Sequence, residues 1–155
     1  MSDCDGREMS AEQQSLLLEN QICFPLYSAS NAVIRTYRPL LEKLDLTYSQ
    51  YLVMMVLWEC DGVSVKALGQ RLHLDSGTLT PLLKRLALKG YVERGRSEQD
   101  ERVRVLKLTA AGADLKQRAL QIPQQMQCQF HLELDELITL KHLCEKVLAS
   151  IEDEH

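Results

Sequence analysis

Two groups of side chains in this chain have chemistry to offer, and the first is basic. Between Ser64 and Leu108 ten Lys or Arg stand against five Asp or Glu, while the rest of the chain carries eight against seventeen. A chain of net charge −4 thus gathers its positive charge into one segment. That is the local footprint of a polyanionic partner, with a solvated charged face as the bland alternative. Ser76, Thr78, Thr80, Lys84 and Arg85 fall on polar positions of one predicted helix. Small hydroxyls suit close approach to bases and phosphates, and the two cations suit phosphates or guanine edges. Arg94, Arg96, Arg102 and Arg104 surround a polar segment between two predicted strands. Arginine at a ribbon tip can enter the narrow minor groove, where the potential is most negative. Asp100 does not suit a phosphate contact and is expected to hold an arginine and orient the ribbon. Glu101 is equally well explained as solubility of an exposed loop.

The second group is the thiols. The five cysteines lie at 4, 23, 60, 128 and 144, with no CxxC pair. An odd count at wide spacing argues against a disulfide framework. Cys23 stands just before Pro25 at the predicted start of a helix. There the unpaired N–H groups and the positive end of the helix dipole favour a thiolate, provided the lead-in segment is not helical through Cys23. Cys60 and Cys144 read as structural and Cys4 as exposed and incidental. Cys128, His131, His142 and Cys144 invite a zinc reading, but HxC on a helix sends its side chains about 200° apart, so no metal site is expected. No cofactor is expected either: there is no Ser-His-Asp set, phosphate-cradling glycine loop or paired-carboxylate spacing, so the chain reads as a non-enzyme.

These residues need elements to position them. Leu dominates an apolar fraction of 45% with few aromatics, which leans towards helices. Residues 1–10 read as a disordered tail. Residues 11–46 read as an N-terminal helical region, with a main helix from Cys23 or Phe24 carrying Leu26, Ala29, Ala32, Val33 and Tyr37 at three- and four-residue spacing. Residues 47–109 contain a helix from Gln50 to Glu59, apolar nearly all round, capped by Thr47 or Ser49. A short helix Val65 to Leu72 capped by Ser64 follows, then one from Asp75 to about Leu88, stopped at Lys89-Gly90. Pro81 should kink that last helix or move its start towards Thr78. Tyr91 to Arg94 and Val103 to Leu108 read as two strands of a ribbon. Residues 110–155 give a helix Ala110 to about Gln127, broken or kinked at Pro123, and a final helix from about His131 to Glu152. Helix, short helix, helix, hairpin is the winged helix-turn-helix plan, so the expected fold is mainly α with a small β-hairpin wing. No apolar run reaches about 18 residues and the N-terminus lacks a signal-peptide pattern, so a cytoplasmic chain without membrane association is expected.

Asp75-Ser76-Gly77-Thr78-Leu79-Thr80-Pro81-Leu82-Leu83-Lys84-Arg85-Leu86, the segment Ser97-Glu98-Gln99-Asp100-Glu101-Arg102, and Leu108-Thr109-Ala110-Ala111-Gly112 resemble the MarR family of winged-helix repressors. The stretches from Asn20 to Ser30 and from Leu46 to Met54 are similar to its organic hydroperoxide-sensing branch, whose members repress a peroxidase gene until oxidised. The resemblance covers roughly residues 16–150. It implies a double-stranded DNA operator and a homodimer whose N- and C-terminal helices interlock. It also implies that the groove helix begins at Asp75 despite Pro81. It would make Cys23 the thiol oxidised by an organic hydroperoxide effector, with Tyr37 and Tyr48 as its hydrogen-bond partners. It would make Cys128 the resolving thiol used by some members, where others rely on small-molecule thiols.

Spacing adds a constraint. Tyr37 lies fourteen residues beyond Cys23, which along one helix is about 21 Å. If the two meet, either the tyrosines come from a partner chain or the helix turns back. Tyr27 and Tyr51 fit core or pocket equally, and His73 fits a phosphate contact or a plain surface. Two other functions are compatible with parts of the pattern: release of DNA by a small aromatic or phenolic ligand, and a thiol peroxidase, which would leave the basic ribbon unexplained.

Overall fold

The computed structural model describes residues 8–153, so residues 1–7 of the expected tail, Cys4 among them, lie outside the described residues. The chain forms two compact units, one ending at Arg118 and one starting at Ala119.

In the first unit Ser10 caps a short helix, α1 (Ala11–Ser15), through a capping box with Gln13. A 3₁₀ turn follows at Leu18–Asn20, and Gln21 is extended, with ψ at 114°. The lead-in therefore stops short of α2 (Cys23–Glu42), which begins with Cys23 as its first residue and has no side-chain cap. Of α2 only Leu41 is buried.

Thr47 starts α3 (Tyr48–Glu59) by a capping box: Thr47 N–H donates to Gln50 Oε1 at 3.0 Å, and Gln50 N–H to Thr47 Oγ1 at 3.4 Å. Tyr51, Val53, Met54, Val56 and Leu57 make α3 the central helix of the core. Burying each such side chain contributes about 1.5–3 kcal/mol. Two residues, Val63–Ser64, form β1, and the Ser64 hydroxyl caps α4 (Val65–Leu72) by accepting from Ala67 N–H at 3.1 Å. His73, with φ at 55°, ends α4.

The next helix, α5 (Ser76–Leu88), is capped by Asp75, whose Oδ1 accepts from Thr78 N–H at 2.7 Å. Leu79, Leu82, Leu83 and Leu86 point into the core. The helix runs through Pro81, and the start does not move to Thr78. The Asp75 cap pins the first turn, and the proline removes only the N–H that would have reached the carbonyl of Gly77, an exposed residue.

Gly90, with φ at 81°, turns the chain into β2 (Val92–Arg96), which pairs antiparallel with β3 (Arg104–Leu108). The register runs from Val92 opposite Leu108 to Arg96 opposite Arg104. The first ribbon strand thus reaches two residues past its expected end at Arg94. β1 adds to the other edge of β3, giving the order β1-β3-β2, so the expected two-stranded ribbon is a three-stranded sheet. Two residues are too short for any periodicity to announce a strand. Next comes α6 (Ala110–Ala119), held close to the sheet at Gly112, where a Cβ would lie 2.0 Å from Tyr91 O.

The second unit contains α7 (Ile122–Gln127) and α8 (Leu134–Glu152). The expected break at Pro123 falls before it, because proline occupies the first turn of α7, where its missing N–H costs nothing. Similarly α8 starts at Leu134 rather than His131, after His131 adopts φ 49°. No residue of α8 is buried; Leu134, Ile138, Leu140, Leu143, Val147, Leu148 and Ile151 are all exposed. Among the described residues no helix is long and apolar enough to cross a membrane.

Candidate functional site

On α5 the inward leucines force the opposite face outward. Ser76, Thr78, Thr80, Lys84 and Arg85 are all exposed on it. Thr80 Oγ1 donates to the Ser76 carbonyl at 2.8 Å, so its methyl rather than its proton is free for an incoming group. The backbone N–H of Thr78 and that of Gly77 hold the Asp75 carboxyl below the usual carboxylate range, so the cap stays ionised at neutral pH.

The sheet brings a second basic set beside this helix. Thr80 and Leu83 of α5 line a groove of about 320 Å³ together with Arg94, Arg96 and Arg104. Arg96 and Arg104 are directly opposite across the β2–β3 ladder. Like charges so placed repel, and nothing acidic lines the groove to offset them. The arrangement is one that an anion would relieve.

The polar tip is ordered by its own hydrogen bonds. Asp100 Oδ1 accepts from Arg102 N–H at 3.0 Å and from Arg102 Nε at 3.1 Å, and its Oδ2 accepts from the guanidinium at 3.2 Å. The Arg102 guanidinium, then its backbone N–H, hold the Asp100 carboxyl below the usual range. Arg96 donates to the Glu101 carbonyl at 2.9 Å. Arg102 itself is exposed at 91% of its side chain.

The tyrosines form a separate cluster. The rings of Tyr37 and Tyr48 are 4.8 Å apart, Tyr37 and Tyr51 5.8 Å, and Tyr51 and Trp58 6.4 Å. Burial pushes the Tyr37 phenol up to about 12, with Tyr48 and Tyr51 adding to the shift, and burial also raises Tyr48 and Tyr51. All three are therefore protonated at neutral pH and can donate a hydrogen bond. Tyr27, by contrast, is exposed. Cys23 is exposed at the first position of α2, and the helix is unbroken from it to Tyr37. Within one chain the thiol and the tyrosines are not brought together. Cys128 is the exposed residue that ends α7, Cys60 is exposed at the end of α3, and Cys144 is half-buried on α8. Among the described residues no group of three His, Cys, Asp or Glu could hold a metal ion.

Sequence reasoning missed Trp58, Lys89 and Tyr91. Trp58 Nε1 donates to the Gly112 carbonyl at 2.9 Å, and Tyr91 OH donates to the Leu44 carbonyl at 3.1 Å. Lys89 was legible only as a stop signal; its ammonium donates to the Asp45 carbonyl at 2.7 Å and to Gln50 Oε1 at 2.9 Å. The Thr47-x-x-Gln50 spacing of a capping box was the one available hint that Gln50 had a place inside.

The model of the transcriptional regulator SarA/Rot family matches residues 35–119. The organic hydroperoxide resistance transcriptional regulator of Bacillus subtilis is 52% identical over 106 residues, 68% of this chain and 72% of that protein. The regulator SarZ of Staphylococcus saprophyticus is 43% identical over 130 residues, 84% of this chain and 89% of its own. The structure of reduced AbfR bound to DNA, a Staphylococcus epidermidis protein, superposes with a TM-score of 0.76 at 32% identity, covering 92% of this chain and 97% of that one. With a matching fold, a matching family model and close relatives spanning most of its length, the chain belongs to the SarA/Rot family of winged-helix, MarR-like transcriptional regulators.

Proposed function

We propose that this protein is a homodimeric, cytoplasmic repressor that binds duplex DNA and lets go of it when an organic hydroperoxide oxidises Cys23. The observation that carries the reading is the pairing, in one chain similar to a hydroperoxide-resistance regulator, of an exposed thiol at an uncapped helix start with a groove of unneutralised arginines.

In the DNA-bound state Ser76, Thr78, Thr80, Lys84 and Arg85 would face the major groove from α5. Arg94, Arg96 and Arg104 would meet phosphates, whose charge offsets the repulsion between the paired arginines. Arg102, aimed by Asp100, would enter the minor groove. Residues 47–109 are the reading region; residues 11–46 and 110–155 are the dimerisation regions, for which the exposed leucines and isoleucines of α8 supply the apolar surface.

For sensing, the Cys23 thiolate attacks the outer oxygen of the peroxide. The S–O bond forms as the O–O bond breaks, and the alcohol leaves with a proton, so sulfur is oxidised by two electrons to a sulfenic acid. A second thiol, Cys128 or a small-molecule thiol, then displaces water to form a disulfide. The reaction runs once per oxidation event, which makes Cys23 a sensor and not an enzyme nucleophile. Since α2 holds Cys23 and Tyr37 about 21 Å apart in one chain, the phenols of Tyr37 and Tyr48 that meet the thiol come from the partner. Oxidation then disturbs contacts across the dimer and the spacing of the two α5 helices, which must match half-sites about 34 Å apart.

The test is duplex binding by the reduced protein, the hydroperoxide-treated protein and Cys23→Ser. Reduced protein and Cys23→Ser should bind alike, and only the former should release on treatment. Equal binding by reduced and oxidised protein would end the sensing claim, and release of Cys23→Ser by a phenolic ligand would favour ligand sensing in its place.

A further inference from the structure

A short set of hydrogen bonds that neither DNA contact nor thiol chemistry requires ties the end of α5 to the first turn of α3, the turn that carries Tyr48 of the aromatic cluster. Lys89 caps the C-terminal end of α5, one residue past Leu88. Its ammonium donates to the carbonyl of Asp45 at 2.7 Å and to Gln50 Oε1 at 2.9 Å, with Asp45 Oδ1 at 3.5 Å. Two residues on, Tyr91 OH donates to the carbonyl of Leu44. The end of α5 and the start of the wing are thus fastened to consecutive carbonyls of the turn between α2 and α3.

The acceptor side is equally constrained. Gln50 is 2% exposed, and the Oε1 that takes the ammonium also takes the Thr47 N–H at 3.0 Å. The same oxygen therefore closes the first turn of α3 and receives the charge from α5. Tyr48 is the first residue of that turn, and its ring lies 4.8 Å from Tyr37. A displaced Tyr48 moves the turn that carries Gln50, and Lys89 must then follow or lose a charge-assisted bond to a buried acceptor. Tyr48, Asp45 and Lys89 border one cavity of about 400 Å³ with Arg38, so a second arrangement of these side chains has space to form.

We infer that Lys89 is a positioning residue that couples the Tyr37–Tyr48 pair to the DNA-reading helix through Gln50. The inference rests on the redox reading above, and it assigns the route by which a disturbance at the tyrosines alters α5. Lys89 itself touches neither DNA nor peroxide in this scheme.

The test compares wild type, Lys89→Met, Lys89→Arg and Tyr91→Phe. The probe is a duplex enriched from a random-sequence pool by the reduced wild-type protein, and the oxidant is cumene hydroperoxide. Two quantities are read: the ratio of oxidised to reduced Kd, and the change in Trp58 emission on oxidation without DNA, Trp58 meeting Tyr51 edge to face at 6.4 Å. Couplings of this kind are typically about 5- to 150-fold. In Lys89→Met the ratio should collapse to less than about threefold while the Trp58 response persists, and Lys89→Arg should keep most of the wild-type ratio. An unchanged ratio in Lys89→Met, or an equal collapse in Lys89→Arg, overturns the inference. Should Lys89→Met not fold, Tyr91→Phe, which removes one hydroxyl, must lower the ratio, and an unchanged ratio there overturns it too. A wild-type ratio of one shows up before any variant is made; it refutes the redox reading itself and takes this inference with it.

Discussion

Asp100 grips Arg102 three times, through its backbone N–H, its Nε and its terminal guanidinium nitrogen, at 3.0, 3.1 and 3.2 Å. Two effects of Asp100 on DNA binding oppose each other. On the proposed reading its charge repels phosphate, whereas its hydrogen bonds fix the arginine that would attract it. Both groups are at the solvent, so the repulsion is screened over about 10 Å while the direct bonds are not. Orientation should win. Asp100→Ala should weaken duplex binding about tenfold and Arg102→Ala by about 5- to 150-fold, measured by fluorescence anisotropy at fixed salt. Tighter binding by Asp100→Ala would mean that the carboxylate serves only as a repulsive charge.

The tyrosine cluster gives a pH signature. The neutral phenol of Tyr37 is favoured in the folded state, with its ionisation pushed from 10.0 to about 12. Stability from this group is fully present below pH 10 and is lost as pH rises through about 12. Phenolate absorbance should therefore grow in two stages on alkaline titration, with the late stage accompanying loss of helical circular dichroism. Tyr37→Phe should shrink the late stage. A single stage near the ordinary tyrosine value would show that the cluster is open to water.

Gly112 is a packing position. Its carbonyl takes the Trp58 indole N–H, and its missing Cβ leaves room for the Tyr91 carbonyl, 2.0 Å from where that carbon would sit. Gly112→Ala must push α6 away from the sheet, and overpacking of this kind costs about 1–3 kcal/mol. The midpoint of urea unfolding should fall accordingly. Replacing Gly95, which has nothing near its missing Cβ, is the control and should leave the midpoint near wild type.

The exposed apolar residues of α8 predict its role in assembly. Leu140, Val147 and Ile151 recur at helical spacing and are all exposed. Val147→Asp together with Ile151→Asp should convert the dimer to monomer in sedimentation velocity and abolish tight duplex binding, while Trp58 emission stays native. A dimer that survives both changes would move the interface elsewhere.

The sequence made the winged-helix plan legible because its signals were local. Thr47 and Ser64 each announced a cap, Asp75 marked the start of a helix, four leucines of α5 announced a buried face, and the alternation around Val105 announced a strand. The misreadings have physical causes. Pro81 argued for a kink or a later start, and the Asp75 cap keeps the start at Ser76. Pro123 marked the beginning of a helix as well as it could have marked an interruption. The basic groove was readable from composition, but the opposition of Arg96 and Arg104 depends on a register that only the turn settles. The aromatic cluster was the least legible. Tyr37, Tyr48, Tyr51 and Trp58 are spread over two helices, and the Lys89–Gln50 bond spans 39 positions of chain.

The start of α2 is unusual in what it withholds. Where many helices begin with Ser, Thr or Asp, this one begins after Ile22, whose side chain is 85% exposed and offers its neighbours no oxygen. No side-chain oxygen caps the first turn of α2, so its leading N–H groups keep their pull on a nearby negative charge. A more comfortable helix end would spend that pull on itself. Ile22→Asp would place a resident carboxylate at this uncapped turn, so a substitution that makes α2 sturdier should make Cys23 slower to react.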